Sequence, residues 1–256
     1  MRIKLGKKVW CTAVSLLVLL AVWEAAVLIG SFPEVLFPSP ISVWNAFWQL
    51  WTDGLPGSSS RVVLGVHILV SLKRFAAGYV GSVVTAVAAG LLLGWFFRVF
   101  SYINPIVQLV RPIAPVAWMP FIVLWFGIGD APAVAIIFLA GFFPVLLSTV
   151  AAVEHMEPVY RKVARNFGLS QAQTLYKVVF PAAFPQIMNS LRLALGTAWI
   201  FLVSGEMVGA QSGLGFLIMD AKNCLRSDAL LATMITIGVI GLLLDWGIRR
   251  LEKFVL

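Results

Sequence analysis

EHMEPVYRKVARNFGLSQAQTLYKVVFP, residues 154–181, is a polar, basic island in an otherwise oily chain. An uncharged apolar run, residues 131–153, precedes it, and apolar sequence resumes from Leu193. The island is too polar to cross a bilayer, yet it carries helix punctuation throughout. Pro158 suits the first turn of a helix, and Gly168 a helix C-cap. Ser170 is placed to cap a second short helix, which the pattern ends before Pro181. A helix–Gly–helix element folded on one face of a membrane protein presents a docking surface.

The membrane assignment follows from composition. The 256 residues are 61% hydrophobic and only 12% charged, with a mean hydropathy of +0.96. Ordinary globular chains are about a quarter charged. Crossing about 30 Å of hydrocarbon takes roughly 20 apolar residues. Six windows meet that length: 9–29 (with Glu24), 75–97, 103–127 (with Arg111), 131–153, 186–208 (with Arg192 and Glu206) and 229–248 (with Asp245). The predicted fold is all-α and polytopic, one transmembrane domain over residues 1–256.

Lys and Arg placement predicts the orientation. With the N-terminus inside, the inner segments hold Arg2, Lys4, Lys7, Lys8, Arg98, Arg161, Lys162, Arg165, Lys177, Arg249, Arg250 and Lys253. The outer segments hold only Arg61, Lys222 and Arg226. Both termini are therefore expected in the cytoplasm. The net charge of +8 is accounted for by topology and anionic lipid, so nucleic-acid binding is not indicated. The first apolar run is longer than the usual signal-peptide core of about 7–15 residues, and it reads as a span. Cys11 and Cys224 fall on opposite sides of the membrane, which argues against a disulfide between them.

Residues 31–61 form an outer segment of their own. Pro33, Pro38 and Pro40 open it, and Ile41, Trp44, Phe47, Trp48 and Trp51 then recur at helical spacing. That pattern describes an amphipathic helix at the outer interface. Catalytic motifs are absent. No G-x-x-x-x-G-K-[ST] occurs, so the chain is not expected to hydrolyse ATP by itself. His67 and His155 form no metal motif, and neither a metal site nor a catalytic residue is expected. Gly90 and Gly94 make one G-x-x-x-G, suited to close helix packing. An ion-coupled secondary transporter would need mid-membrane carboxylates and usually repeated halves, and neither is evident.

Pathway candidates come from breaks and charges. Pro112, Pro115 and Pro120 must interrupt the hydrogen-bond ladder of the third span. Irregular backbone at membrane depth is tolerated only when it is buried in protein or lines a cavity. Arg111, Arg192 and Glu206 join those prolines, because intramembrane charges are functional candidates. Arg111 and Arg192 are placed in the inner thirds of their spans. Glu206 is expected to be an ion-paired structural or gate residue, with Lys73 or Arg74 as its partner by depth.

The island resembles the EAA loop of the membrane subunits of ABC importers, the binding-protein-dependent permeases. Lys162, Val163 and Ala164 occupy its Glu-Ala-Ala positions, Gly168 its glycine, Val178 its Ile, and Phe180-Pro181 its Leu-Pro, at unchanged spacing. The leading Glu is Lys here and the first Ala is Val. Arg111-Pro112-Ile113-Ala114-Pro115-Val116-Ala117-Trp118-Met119-Pro120, Leu124-Trp125-Phe126-Gly127-Ile128-Gly129, Leu191-Arg192-Leu193-Ala194-Leu195-Gly196, Gly205-Glu206-Met207, Ser212-Gly213-Leu214-Gly215 and Phe37-Pro38-Ser39-Pro40 are similar to the sulfonate, taurine and nitrate permeases.

The resemblance implies a six-span permease of type I importer fold, with residues 154–181 as a cytoplasmic coupling loop. It implies Glu157, Tyr160, Arg161, Lys162, Val163, Ala164, Arg165, Phe167, Gly168 and Pro181 as the ATPase-coupling residues. Arg161, Lys162 and Arg165 would form a basic side, and Tyr160, Val163, Ala164 and Phe167 an apolar one. It further implies two cytoplasmic ATPase subunits carrying ATP and Mg, a second copy of the permease, an external binding protein, and a prokaryotic inner membrane. The cargo would be a small oxyanion such as a sulfonate, taurine, nitrate or bicarbonate. A vitamin precursor or an aromatic acid stays open.

Overall fold

The computed structural model describes residues 2–30, 33–58 and 61–255, and it is helical. The helices are α1 (Arg2–Gly30), α2 (Pro40–Thr52), α3 (Leu64–Trp95), α4 (Phe97–Val110), α5 (Met119–Phe126), α6 (Asp130–Glu154), α7 (Pro158–Asn166), α8 (Gln171–Thr174), α9 (Phe180–Gly209), α10 (Leu214–Asn223) and α11 (Ser227–Val255). Four stretches are long and apolar enough to cross a membrane: Leu64–Trp95, Asp130–Glu154, Gln171–Gly209 and Ser227–Lys253. Phe97–Val110 and Pro115–Phe126 meet at 85° and make a fifth when taken as one broken span. Leu17–Gly30 is a shorter apolar stretch within α1. The chain forms two compact units. One is built from the chain up to His67 with Leu217–Ile237, the other from Ile68–Phe216 with the chain from Gly238 on.

In the larger unit α6 lies at the centre. Its residues 131–153 carry no charge, and buried positions from Ala133 to Val153 surround its axis. A helix that is apolar all round belongs inside. Along α3, small residues recur every fourth position: Gly78, Ser82, Ala86, Gly90 and Gly94. They face Ile137, Gly141, Val145, Thr149 and Val153, also four apart, on α6. A Cβ added at Gly90 would sit 2.6 Å from Thr149 Cβ, and one at Gly94 would sit 2.7 Å from Val153 Cβ. The two backbones therefore touch along one ridge, the packing that small-xxx-small spacing permits. The G-x-x-x-G is one segment of this longer seam.

Facing residues rise together on both helices, so α3 and α6 are parallel. Parallel neighbours require a crossover. The seam places Asp130 near the level of Ser71, so the link from Trp95 climbs about 24 residues of helix, or roughly 36 Å at 1.5 Å per residue. The stretch containing α4 and α5 therefore returns along the height of the α3–α6 seam. α9 runs the other way: Gly205 abuts Ala133 and Gly209 abuts Pro132, while Ala183 and Ile187 cluster with Ala152. α11 is antiparallel to α9, since Gly241 packs on the Trp199 indole and Asp245 reaches Arg192.

Two sequence expectations are corrected. The second span begins at Leu64, about three turns before Phe75, so Lys73 and Arg74 lie inside a helix. The short helix from Gln171 does not stop before Pro181. It continues through a π-helical turn, Leu175–Val179, into α9, and Phe180 N–H donates to the Leu175 carbonyl. The widened turn accommodates a proline that has no N–H to give.

In the smaller unit, Ser39 caps α2 by accepting from Ser42 N–H. Val43, Ala46 and Leu50 are buried, while Ile41, Trp44, Trp48 and Trp51 form an exposed face. Phe47, expected in the same stripe, is half-buried. Arg226 grips Asp228 with two hydrogen bonds, at 2.9 and 2.8 Å, and donates a third to Gln49 at 2.9 Å. Cys11 and Cys224 are free thiols.

Candidate functional site

The hairpin after α6 has its first helix, its turn and its second cap at the positions that Pro158, Gly168 and Ser170 predict. Pro158 opens α7, and Leu169 N–H closes on the Ala164 carbonyl at 3.1 Å across the end of that helix. Gly168 has φ +66°, the left-handed conformation that a helix C-cap demands. Ser170 Oγ accepts from Gln173 N–H at 3.3 Å, and Gln173 Oε1 accepts from Ser170 N–H at 3.0 Å, a reciprocal capping box. Ala164 is 1% exposed and seats α7 on the protein, whereas Phe167 is 78% exposed. Tyr160 and Val163 share the exposed apolar face with Phe167, and Glu157, Lys162 and Pro181 are also exposed. The side chains of Arg161 and Arg165 lie outside the described residues.

The segment expected to be the third span breaks where its prolines require. Arg111 ends α4, Pro112 lies in the turn, Pro115 opens a 3-10 turn (Pro115–Trp118), and Pro120 sits in the first turn of α5. Beside the break is a cleft of about 190 Å³ lined by Arg111, Pro115, Trp118, Phe143, Thr197 and Phe201, among others. Leu139, Ala140 and Pro144 also line it, which places it midway along α6. Arg111 thus stands level with the middle of α6, higher along the bundle than its place in the sequence suggested. The reason is that α4 begins at Phe97 and has already climbed about 20 Å by Val110, at 1.5 Å per residue.

At the opposite end from the hairpin lies a buried ionic network. Arg74 on α3 is 4% exposed and Glu206 on α9 is 0% exposed. Arg74 Nη1 donates to Glu206 Oε1 at 2.9 Å. Arg74 Nε donates to Asp130 Oδ1 at 2.8 Å, and its Nη2 to the same oxygen at 2.5 Å. The guanidinium also donates to Ser212, at 2.6 Å to the carbonyl and 3.0 Å to Oγ. Glu206 further accepts from Ser71 Oγ at 2.8 Å and from Gly215 N–H at 2.9 Å. Ser71 Oγ in turn accepts from Leu214 N–H at 2.8 Å. The carboxylate therefore also caps the start of α10, where negative charge is favoured. Gly213, at φ +107°, passes so close that a Cβ there would lie 2.3 Å from Glu206 Oε1.

Of the sequence candidates, Glu206 and Arg74 meet as a pair, and Lys73 does not join them. Arg192 pairs with Asp245 at 3.1 Å, and Asp245 also holds Arg249 at 2.6 Å. Arg111 stands at the cleft without an ion pair among the described residues. Sequence reading missed Ser71 and Asp130. Asp130 reaches Arg74 only through the parallel register of α3 and α6, which no local pattern encodes. Ser212 and the two glycines after it were visible as a motif, but not as the collar of Glu206.

Comparison with known proteins agrees with this architecture. Residues 81–256 match the family model described as "Binding-protein-dependent transport system inner membrane component". The chain is 33% identical to the taurine transport system permease protein TauC of Escherichia coli (strain K12), over 97% of this chain and 90% of that protein. It is 32% identical to the nitrate import permease protein NrtB of a Synechocystis species, with the same coverage. A Bacillus subtilis (strain 168) permease assigned to aliphatic sulfonates transport is 31% identical, over 92% of this chain and 83% of that one. The fold is similar to a chain of the MetNI methionine ABC transporter in an inward-facing form, with a TM-score of 0.66 and 19% identity, over 75% of this chain and 96% of that one. Family membership implies an inner-membrane location and ATPase and substrate-binding partners. The chain belongs to the binding-protein-dependent inner membrane components: it is a multi-pass permease subunit of an ABC importer, and not itself an enzyme.

Proposed function

We propose that this chain forms the membrane pathway for a small oxyanion, of the class of a sulfonate, taurine, nitrate or bicarbonate. The relatives named for taurine, nitrate and aliphatic sulfonates support the cargo class. The whole of residues 1–256 acts as one permease domain with six spans, α1 being the first and α4–α5 together the third. Two copies form the pathway, with the broken third span, the 111–120 segment, at its wall. An external binding protein delivers the anion, and two cytoplasmic ATPase subunits hold ATP and Mg.

The observation that carries the reading is the exposed apolar face of α7. Tyr160, Val163 and Phe167 stand on a capped hairpin that is too small to hold a core of its own. Aromatic anchors of this kind dominate protein interfaces, and truncating one costs about 2 kcal/mol or more. Phe167→Asp is exposed and should fold normally, yet it should recover at least about tenfold less ATPase subunit on co-purification. Undiminished recovery would remove the hairpin from the ATPase interface.

On this reading both termini share the cytoplasmic side with the hairpin. The clustering of Arg98, Lys162, Lys177, Arg249 and Arg250 at helix ends expected on one side supports this reading, as the positive-inside rule asks. In a background lacking Cys11 and Cys224, single cysteines at Ser58 and at the exposed Gln211 should react with a membrane-impermeant thiol reagent in intact cells. A cysteine at Ser170 should not, and labelling there would invert the topology.

A further inference from the structure

We infer that Arg111 is the anion-holding residue of the pathway, and that its cleft is a subsite for the oxyanion group of the cargo. The inference rests on the small-oxyanion reading above and assigns that chemistry to one side chain. Charges at membrane depth are costly unless they are paired or wetted. Arg74, Glu206, Arg192 and Asp245 have each found a partner. Among the described residues, Arg111 has no ion pair and no side-chain hydrogen bond, although it is exposed at the middle of the span. Its five N–H donors are unspent. Trp118 lines the same cleft, and its indole N–H likewise makes no hydrogen bond among the described residues.

Among the described residues, no carboxylate lines the cleft to compete for the guanidinium. Its other walls are apolar, apart from Thr197, whose hydroxyl donates to the Ala194 carbonyl at 3.0 Å. Low-dielectric walls focus the field of the one cation. Size argues the same way. At about 190 Å³ the cleft is smaller than the roughly 300–1,000 Å³ of drug-sized sites. It suits a planar or tetrahedral oxyanion gripped by a guanidinium fork. Among the described residues, Glu24 on α1 is a second charge in an apolar helix with an unspent atom: its Oε2 is buried without a hydrogen bond. A Glu24 carboxylate from a second copy is the rival occupant of the guanidinium.

The test uses the complete complex in proteoliposomes with its binding protein, and radiolabelled taurine and nitrate as probes. Arg111→Gln should lower maximal flux at least about tenfold, the factor carried by one charged hydrogen bond. The concentration for half-maximal transport, governed by the binding protein, should not move. Arg111→Lys should retain part of the flux. Arg111→Cys, in the background without Cys11 and Cys224, should regain flux after modification by a trimethylammonium thiosulfonate but not by a sulfonate-bearing one. Flux by Arg111→Gln at the wild-type rate, or equal rescue by both reagents, overturns the inference. Recovery of Arg111→Glu by Glu24→Arg also overturns it, because the counter-ion would then be a protein carboxylate. If the wild-type complex carries neither taurine nor nitrate, the substrate reading fails first and the inference falls with it.

Discussion

Arg74→Gln should leave little assembled protein. The substitution strands Glu206, which is fully buried, with only Ser71 and Gly215 as donors. Breaking a buried pair by removing one partner typically costs about 3–5 kcal/mol. That is a large share of the roughly 5–15 kcal/mol by which domains are stable. Glu206→Gln should be milder, because Arg74 keeps Asp130 and Ser212. The double variant should be more stable than Arg74→Gln alone, since no buried charge is then unmatched. A simple pair would tolerate exchange of its charges, but this one should not. In Glu206→Lys with Arg74→Glu, the new carboxylate would face Asp130 and the new ammonium would face the Gly215 N–H. Thermal midpoints and monodispersity in detergent read all four variants. A wild-type midpoint for Arg74→Gln would remove the network from the stability of the fold.

Gly168→Val should uncouple transport from ATP hydrolysis while the spans still insert. A Cβ at Gly168 would meet nothing within 4 Å, so space is not the obstacle. The obstacle is φ +66°, which a β-branched residue adopts at a cost on the order of 1–3 kcal/mol. Relaxing that strain re-aims α7 relative to α8, and with it Tyr160, Val163 and Phe167. Gly168→Asn provides the control, because Asn enters the left-handed region readily. Substrate-stimulated hydrolysis per transported molecule should rise sharply for Val and stay near wild type for Asn. Equal behaviour of the two variants would show that backbone conformation at Gly168 does not set the coupling.

Much of this protein is legible from local sequence. Long apolar runs with few charges mark the apolar helices because hydrocarbon admits few charges, whatever packs beside them. Pro158, Gly168 and Ser170 mark the hairpin because caps and φ constraints act within a few residues. The prolines at 112, 115 and 120 mark the broken span for the same reason. Where local signals failed, a continuous structure overrode them. Pro181 reads as a stop, but the π-helical turn carries the helix past it. Lys73 and Arg74 read as a helix boundary, but α3 begins at Leu64.

The residues of Glu206's collar depend on contacts made far along the chain. That some basic residue near the outer ends would pair with Glu206 followed from depth and charge. That Arg74 does so, with Asp130, Ser71 and Ser212 around it, followed only from the assembled helices. The register comes from small residues four apart on α3 meeting their counterparts on α6, so that backbones touch and one helix cannot slide past the other. Hydropathy and capping are properties of a short window and survive in the unfolded chain's sequence. A partner 56 or 132 residues away exists only once two helix surfaces have interlocked.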